Sequence, residues 1–330
     1  MDGMSLDGPD NPGATRPLAL RISVTDRCPF RCIYCMPEDG IRLESHEHIL
    51  TFEEILRFVQ VVKYRFGLAK VRLTGGDPLA RRGILDLVRL LAEEGIGGLA
   101  LTTNALGLAD MAQPFHDAGL ERVNVSLDSL DPETFARITR GGDLAPVLAG
   151  IEAAIRACLT PVKLNAVVIR GWNDGEAVSL ARWAFERGCT MRFLELMPIG
   201  CAEPLFRERF VPADEVRARI AECFRLEPLT CDPSQSSRDF AASDDAGLTG
   251  TVGFIASETQ PFCDHCNRLR LTSTGRLISC LARGGGQDVR ELLRSPDGER
   301  ALIDAIQNAL TEKRVRDNFD TEHAMRSVGG

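Results

Sequence analysis

Three cysteines carry the strongest chemical signal in the sequence. They stand in the stretch Cys28-Pro-Phe-Arg-Cys32-Ile-Tyr-Cys35, a C-x3-C-x2-C spacing directly after a strand-like run over 18–25. A structural zinc site closes four ligands around the ion. Three thiolates can instead hold three irons of a [4Fe–4S] cluster and leave the fourth iron open to a small molecule. A zinc knuckle, or three unrelated thiols, are the plainer alternatives. A second group follows far downstream, Cys263-Asp-His-Cys266 and then Cys280, a C-x2-C-x13-C spacing. It again offers three thiols. His265 could serve as the fourth ligand of a zinc ribbon, although inside the tight C-x2-C turn and next to Cys266 it tends to point away. The other reading is a second [4Fe–4S] cluster with an open iron, so that one cluster serves a cofactor and the other a substrate. Between these cysteines lies Asn267-Arg268-Leu269-Arg270-Leu271. At strand spacing Arg268 and Arg270 share a face. Guanidinium forks match phosphate oxygens, whereas a basic strand with no neighbours of interest would simply be solvated.

Composition bounds what these groups can serve. The 330 residues are 44% hydrophobic and 26% charged, ordinary values for a globular protein. Aromatic residues make up 6% and the net charge is −8, which argues against a nucleic-acid surface and requires any anion to be held by a local Arg and Lys cluster. No stretch reads as a membrane span or an N-terminal signal, so a reducing cytoplasm is the expected compartment. There, eleven cysteines fit metal or cluster ligation better than disulfides. Cys158, Cys189, Cys201, Cys223 and Cys231 are scattered and read as inert thiols.

The elements that must position these groups alternate. Strand-like runs fall at 18–25, 70–74, 99–103, 122–128, 162–169 and 191–197. Helical patterns lie between them. The first opens on a capping box, Thr51 with Glu54, and runs to Phe66. Others begin at Asp131-Pro132, cover 144–157 and 177–186, and a later one covers 213–224. Six β–α alternations predict parallel strands with right-handed crossovers. The fold class is therefore α/β, with a partial (β/α)6 barrel as the reading and a doubly wound sheet as the alternative. Residues 1–17 read as a flexible leader, 18–230 as the barrel, and 231–330 as a C-terminal region carrying the second cysteine group and substrate contacts. Within it 231–250 reads as an irregular connection and 251–256 as a strand.

Side-chain parity favours a barrel with an occupied interior. One face of the strands is apolar: Ile22, Val71, Leu73, Val123, Val125 and Leu164 are examples. The other face carries Arg21, Arg72, Asn124, Ser126, Asp128, Lys163, Asn165 and Glu195. Buried cations without partners are costly, so the interior should hold a charged ligand.

After the second strand comes Thr74-Gly75-Gly76-Asp77-Pro78. Placed downstream of the cysteine loop, it resembles the Gly-Gly-Glu-Pro element of the radical S-adenosylmethionine (SAM) superfamily, with Asp for Glu. The chain from Leu18 onward further resembles the GTP 3′,8-cyclase family, the molybdenum cofactor biosynthesis A proteins. The resemblance rests on Leu20-Arg-Ile-Ser-Val-Thr-Asp-Arg-Cys28, Arg72-Leu-Thr-Gly-Gly-Asp-Pro78, Leu101-Thr-Thr-Asn104, Val123-Asn-Val-Ser-Leu-Asp128, Arg192-Phe-Leu-Glu-Leu-Met-Pro198 and Phe262-Cys-Asp-His-Cys-Asn-Arg-Leu-Arg270.

That resemblance implies a lyase that converts GTP to (8S)-3′,8-cyclo-7,8-dihydroguanosine 5′-triphosphate, the first step of molybdenum cofactor biosynthesis. A 5′-deoxyadenosyl radical would remove the C3′ hydrogen, and C3′ would then bond to C8. It implies two [4Fe–4S] clusters and SAM as cofactors, with Cys28, Cys32 and Cys35 on one cluster and Cys263, Cys266 and Cys280 on the other. Tyr34, Gly76, Ser126 and Met197 would line the SAM site. Arg21, Arg72, Thr102, Lys163, Arg268, Leu269 and Arg270 would contact GTP, and the terminal Gly329-Gly330 would reach the active site. A flavodoxin- or ferredoxin-like one-electron donor and a downstream cyclic pyranopterin monophosphate synthase would be partners, with a homodimer left open. The competing enzyme reading is a radical SAM maturase that modifies peptides and carries an auxiliary cluster.

Overall fold

The computed structural model describes residues 16–283 and 285–313. Six parallel strands form in sequence order: β1 (Leu18–Ser23), β2 (Leu68–Thr74), β3 (Ala100–Thr103), β4 (Arg122–Ser126), β5 (Lys163–Val167) and β6 (Thr190–Leu194). Helices connect them: α1 (Phe52–Phe66), α2 (Ile84–Glu93), α3 (Leu108–Asp117), α4 (Pro132–Thr139), α5 (Leu144–Arg156) and α6 (Ala177–Phe185). After β6 come α7 (Glu203–Arg209), α8 (Ala213–Ala221) and the strands β7 (Arg225–Pro228), β8 (Arg238–Ser243) and β9 (Thr249–Ile255). Then follow β10 (Arg268–Leu271), β11 (Arg276–Ile278), β12 (Gln287–Asp288), α9 (Arg290–Arg294) and α10 (Glu299–Glu312).

Local sequence explains the starts of these helices. The capping box forms as expected: Glu54 N donates to Thr51 Oγ1, and Thr51 N donates to Glu54 Oε2 at 2.7 Å. Asp131 caps α4 through Thr134 N, with Pro132 at the first helical position. The apolar strand face supplies the layer under the helices. Ile22, Val71, Leu73, Leu101, Val123, Val125 and Leu164 are all buried there, together with Phe58, Leu87, Phe115 and Ile151 from the helices.

The sheet continues beyond the six strands on both sides. Its order is β12-β11-β10-β1-β2-β3-β4-β5-β6-β9-β8-β7. β10 pairs with β1 and β9 with β6, both parallel, while the outer hairpins are antiparallel. The C-terminal segment thus supplies strands to both edges of the barrel sheet. Flat strands would separate β1 from β6 by about 24 Å, at about 4.8 Å per step. Yet Arg21 of β1 and Arg192 of β6 line the same cavity. The sheet is therefore curled into a partial barrel, and the doubly wound alternative falls.

One expectation differs. The stretch 231–250 contains β8 and the start of β9, not an irregular connection throughout. The strand reads Arg-Asp-Phe-Ala-Ala-Ser, with one large apolar residue, so alternation is too weak to mark it. Pairing with β9, through a turn with Gly247 at φ +87°, makes it a strand. The sequence reading also named neither α9 nor α10. Among the described residues, no helix is long and apolar enough to cross a membrane.

Candidate active site

The cysteine loop follows β1 and is held from several sides. Arg31 N and Ile33 N donate to the carbonyls of Thr139 and Ile138 at the end of α4. Arg140 Nη1 donates to the carbonyls of Arg31 and Met36, at 3.2 and 2.7 Å. Phe30 packs edge-on against Phe135 with ring centroids 5.8 Å apart. Cys35 N closes a turn onto the Cys32 carbonyl at 2.9 Å. This framework turns Cys28, Cys32 and Cys35 into one cavity of about 230 Å³ at the carboxyl ends of the strands. Ligand sites of open parallel sheets and barrels sit at this end.

The same cavity brings together Tyr34, Gly76, Ser126 and Met197, which the resemblance assigned to SAM, with Arg21, Arg72 and Thr102, which it assigned to GTP. Gly75 is needed for close approach: a Cβ there would lie 2.8 Å from the Thr25 carbonyl oxygen, which also accepts from Gly76 N at 2.6 Å. Asp77 does not face the ligand space in the way a free carboxylate would. It accepts from Thr103 Oγ1, from Asn104 N at 2.6 Å and from Leu79 N at 2.9 Å, which locks the loop after β2 to the loop after β3. Asn104 in turn directs Nδ2 at Cys28 Sγ, 3.7 Å away. Tyr34 OH donates to Asp128 Oδ2 at 2.7 Å, and Val167 N donates to Asp128 Oδ1 at 2.9 Å. Burial pushes Asp77 and Asp128 each up to about 6.

At the opposite, amino ends of the strands lies a second space of about 140 Å³. It is lined by Arg21, Lys70, Arg72, Arg122, Lys163, Arg192 and Arg268, with no carboxylate among its lining residues. Arg21, Arg72 and Arg192 line both spaces and join them into one lumen. Strand register produces this cluster. Arg270, Arg21 and Arg72 are Cα partners across β10, β1 and β2, and Ala100 then leads to Arg122. Burial first, and the neighbouring guanidinium groups second, push Arg21, Arg72 and Arg270 down. Burial and Arg192 lower Lys163 to about 8. A guanidinium stays charged in a protein, so these downward shifts reflect the cost of burying charge first and mutual repulsion second. Three buried lumen atoms, Thr102 Oγ1, Asn165 Oδ1 and Arg192 Nε, also have no protein partner. The lumen has the composition of a polyanion site with unmet donors and acceptors.

Lys70, Arg122 and Arg192 went unnamed as site residues in the sequence reading. Lys70 and Arg122 share the strand parity of Arg72 and Asn124, which was the available signal, whereas Arg192 is revealed by its pairing with Asn165. The Leu269 side chain is fully buried in the apolar layer, opposite the face of Arg268 and Arg270, and its Cα pairs with Leu20, so a ligand contact at this position would fall to its backbone. Glu195 is bound to protein: it accepts from Ala213 N, Glu258 N and Thr259 N, fastening α8 and the segment after β9 to the end of β6.

The second trio is assembled by a hairpin. Cys266 N donates to the Cys263 carbonyl at 3.1 Å, which closes one turn. β10 and β11 are antiparallel, with Arg270 opposite Ile278. Continuing that register sets Cys280 opposite Arg268, two residues from Cys266. The thirteen-residue spacing is therefore the length of a strand, a turn and a returning strand. Burial raises the Cys266 thiol, but Arg268 and Lys313 outweigh it and bring it down to about 7. Arg268 Nε lies 3.3 Å from Cys266 Sγ. Because β10 runs beside β1, this trio stands where β1 enters the lumen and the first where it leaves. Among the described residues, no three His, Cys, Asp or Glu side chains converge as tightly as one metal ion requires. A tetrahedral zinc at about 2.3 Å draws its sulfurs to about 3.8 Å from each other. A four-iron cube spreads its thiolates further. At the first trio, burial, Asp128 and the other two thiols drive Cys32 well up. Three ionised thiols there require the positive charge that iron supplies. Gly329 and Gly330 lie outside the described residues.

A curled parallel sheet with a three-cysteine loop after its first strand and a glycine turn after its second defines a radical SAM enzyme. The family model for the Radical SAM superfamily matches residues 22–184, and that for Molybdenum Cofactor Synthesis C matches residues 189–319. The chain is 45% identical over 308 residues to the GTP 3′,8-cyclase of Pseudomonas putida (strain W619), covering 91% of this chain and 90% of that one. It is 45% identical over 321 residues to the GTP 3′,8-cyclase of Geobacter sulfurreducens, covering 94% and 96%. The chain belongs to the GTP 3′,8-cyclase family. Among solved structures, Streptococcus suis SuiB bound to S-adenosylmethionine superposes with a TM-score of 0.56 at 13% identity, covering 87% of this chain and 66% of that one. That likeness shows the shared fold alone and lends no support to a peptide-modifying role.

Proposed function

We propose that the protein catalyses the first step of molybdenum cofactor biosynthesis, converting GTP to (8S)-3′,8-cyclo-7,8-dihydroguanosine 5′-triphosphate. The observation that carries this reading is the lumen itself: the first cysteine trio lines its carboxyl end, Asn267 and Arg268 just after Cys266 line its amino end, and the amino-end space is lined by Arg and Lys side chains with no carboxylate among its lining residues. When bound, the clusters and SAM supply one-electron chemistry and an adenosyl radical at the carboxyl end of the strands, where Cys28, Cys32 and Cys35 stand.

The chain's own residues supply position and charge. Arg21, Arg72, Lys163, Arg268 and Arg270, joined by Lys70, Arg122 and Arg192, would neutralise the triphosphate and fix the sugar between the two ends. Thr102 and Asn165 would meet their unfilled hydrogen-bonding capacity on the nucleoside. Tyr34, held by Asp128, would pack with Gly76, Ser126 and Met197 around SAM and exclude water from the reacting carbons. Cys263, Cys266 and Cys280 would hold the second cluster against the guanine. The Gly329-Gly330 tail would complete the pocket. A flavodoxin- or ferredoxin-like carrier would deliver the electron, and a cyclic pyranopterin monophosphate synthase would take the product.

Anaerobic reconstitution tests the reading. About eight irons per chain and 5′-deoxyadenosine formation that depends on GTP are expected. Incorporation of only half that iron, or cleavage of SAM that ignores GTP, would overturn it.

A further inference from the structure

Lys313 stands one residue past the end of α10, yet its side chain leaves its own helix. A lysine at a helix C-terminus commonly bonds the last carbonyls of that helix. Here Nζ donates to the carbonyl of Arg268 at 2.5 Å and to the carbonyl of Ser279 at 2.6 Å. Arg268 is two residues after Cys266, and Ser279 is the residue before Cys280. The ammonium also lies against the Cys266 sulfur, within hydrogen-bonding reach, and close to Cys280. One half-buried cation thus ties the two strands that present Cys266 and Cys280, from an element that supplies no thiol.

We propose that Lys313 is a positioning residue of the second cysteine trio, fixing the separation of Cys266 and Cys280 and setting the charge that a cluster bound there experiences. The inference rests on the two-cluster reading above. The clamp is geometric: β10 and β11 are short, and their last ladder pair before the cysteines is Arg270 with Ile278. Beyond it, two neighbouring carbonyls converge on one three-donor ammonium. The charge acts separately. Positive charge beside a cluster favours its more reduced, more negative form and raises its potential. The neighbouring Arg268 guanidinium shares the sulfur but reaches it from the β10 strand itself, so it cannot tie that strand to β11.

The test uses the full chain, reconstituted anaerobically with iron and sulfide, as wild type, Lys313→Met, Lys313→Gln and Lys313→Arg. The readouts are iron content and the potential of each cluster's paramagnetic signal, without turnover. Lys313→Met should lose iron and shift the second signal to lower potential, with the first unchanged. Lys313→Gln keeps donors without charge and should retain iron while the potential still falls. Lys313→Arg should restore both. A wild type holding about four irons sinks the two-cluster reading itself. A wild type holding twice that, with a Lys313→Met protein whose second cluster is unchanged or whose two clusters change together, overturns the role of Lys313 alone.

Discussion

Arg21 and Arg270 are Cα partners on adjacent parallel strands, one near the start of the chain and the other in its last quarter; Arg21 lines the lumen and Arg270 is buried on the same face of the sheet. Arg72 continues the row on the other side of Arg21. Three cations at neighbouring strand positions repel one another by on the order of 2–3 kcal/mol per pair at an effective dielectric near 20. A bound polyanion turns that repulsion into attraction.

Arg21→Met should therefore weaken binding of GTP and of inorganic triphosphate by about 10- to 100-fold, the worth of a charge-assisted hydrogen bond or two. The ligand-free protein should melt no lower than wild type, because the substitution removes one buried like charge. Calorimetry and thermal unfolding read the two effects separately. Unchanged affinity would remove Arg21 from the anion site.

Lys163 gives binding a pH dependence. Burial and Arg192 hold it at about 8, so it loses its proton as the pH passes through that value while the arginines keep theirs. Affinity for triphosphate should fall between about pH 7.5 and 9. Stability of the ligand-free protein should move the other way. With the folded pKa below the unfolded one, the unfolded chain binds more protons from about 8 to 10.5, and this group's contribution to stability rises with pH. Lys163→Arg should flatten both profiles.

Asp77 is a structural carboxylate. Asp77→Ala leaves Asn104 N and Leu79 N without their acceptor and should cost about 2–4 kcal/mol in denaturant unfolding. Burial raises Asp77 to about 6, above the ordinary carboxylate value of 3.8. Its stabilising contribution is then complete below about pH 4 and lost as the pH rises through 6. Asp128, raised to the same value, contributes in the same window, so an Asp77→Asn protein should show a reduced slope, and an unchanged slope would assign it to Asp128.

Cys263→Ser should separate the two ends of the lumen. SAM binding should persist while conversion of GTP is abolished, as measured by equilibrium dialysis and product analysis. Conversion at wild-type rate would refute the division of labour between the trios.

Much of the barrel was legible in the sequence because its signals are local. The Thr51–Glu54 box, the Asp131-Pro132 start and the two-residue alternation of apolar and polar side chains each fix an element without help from the rest of the chain. The same alternation marked Arg21, Arg72, Lys163 and Ser126 as interior. It would have marked Arg122 too, since Arg122 shares the parity of Asn124, whereas choosing Glu195 as the inward residue of the sixth run hid Arg192, which only its pairing with Asn165 reveals. Leu269 came with its motif, and because neighbours in a strand point to opposite faces its side chain lies in the apolar layer. β8 was missed because its pattern is weak and its pairing with β9 is what holds it extended.

The sequence by itself determined that three thiols stand in a loop after one strand, three more around an arginine strand, and that a parallel α/β core has a polar face. These are consequences of residue type, spacing and period. Only the tertiary structure decided that β10 lies beside β1. That pairing places Arg270 in register with Arg21, sets the second trio at the opposite end of β1 from the first, and lets Lys313 reach two strands at once. Register between distant segments is fixed by which apolar faces can be buried together, a property of the whole sheet that no single stretch of sequence contains.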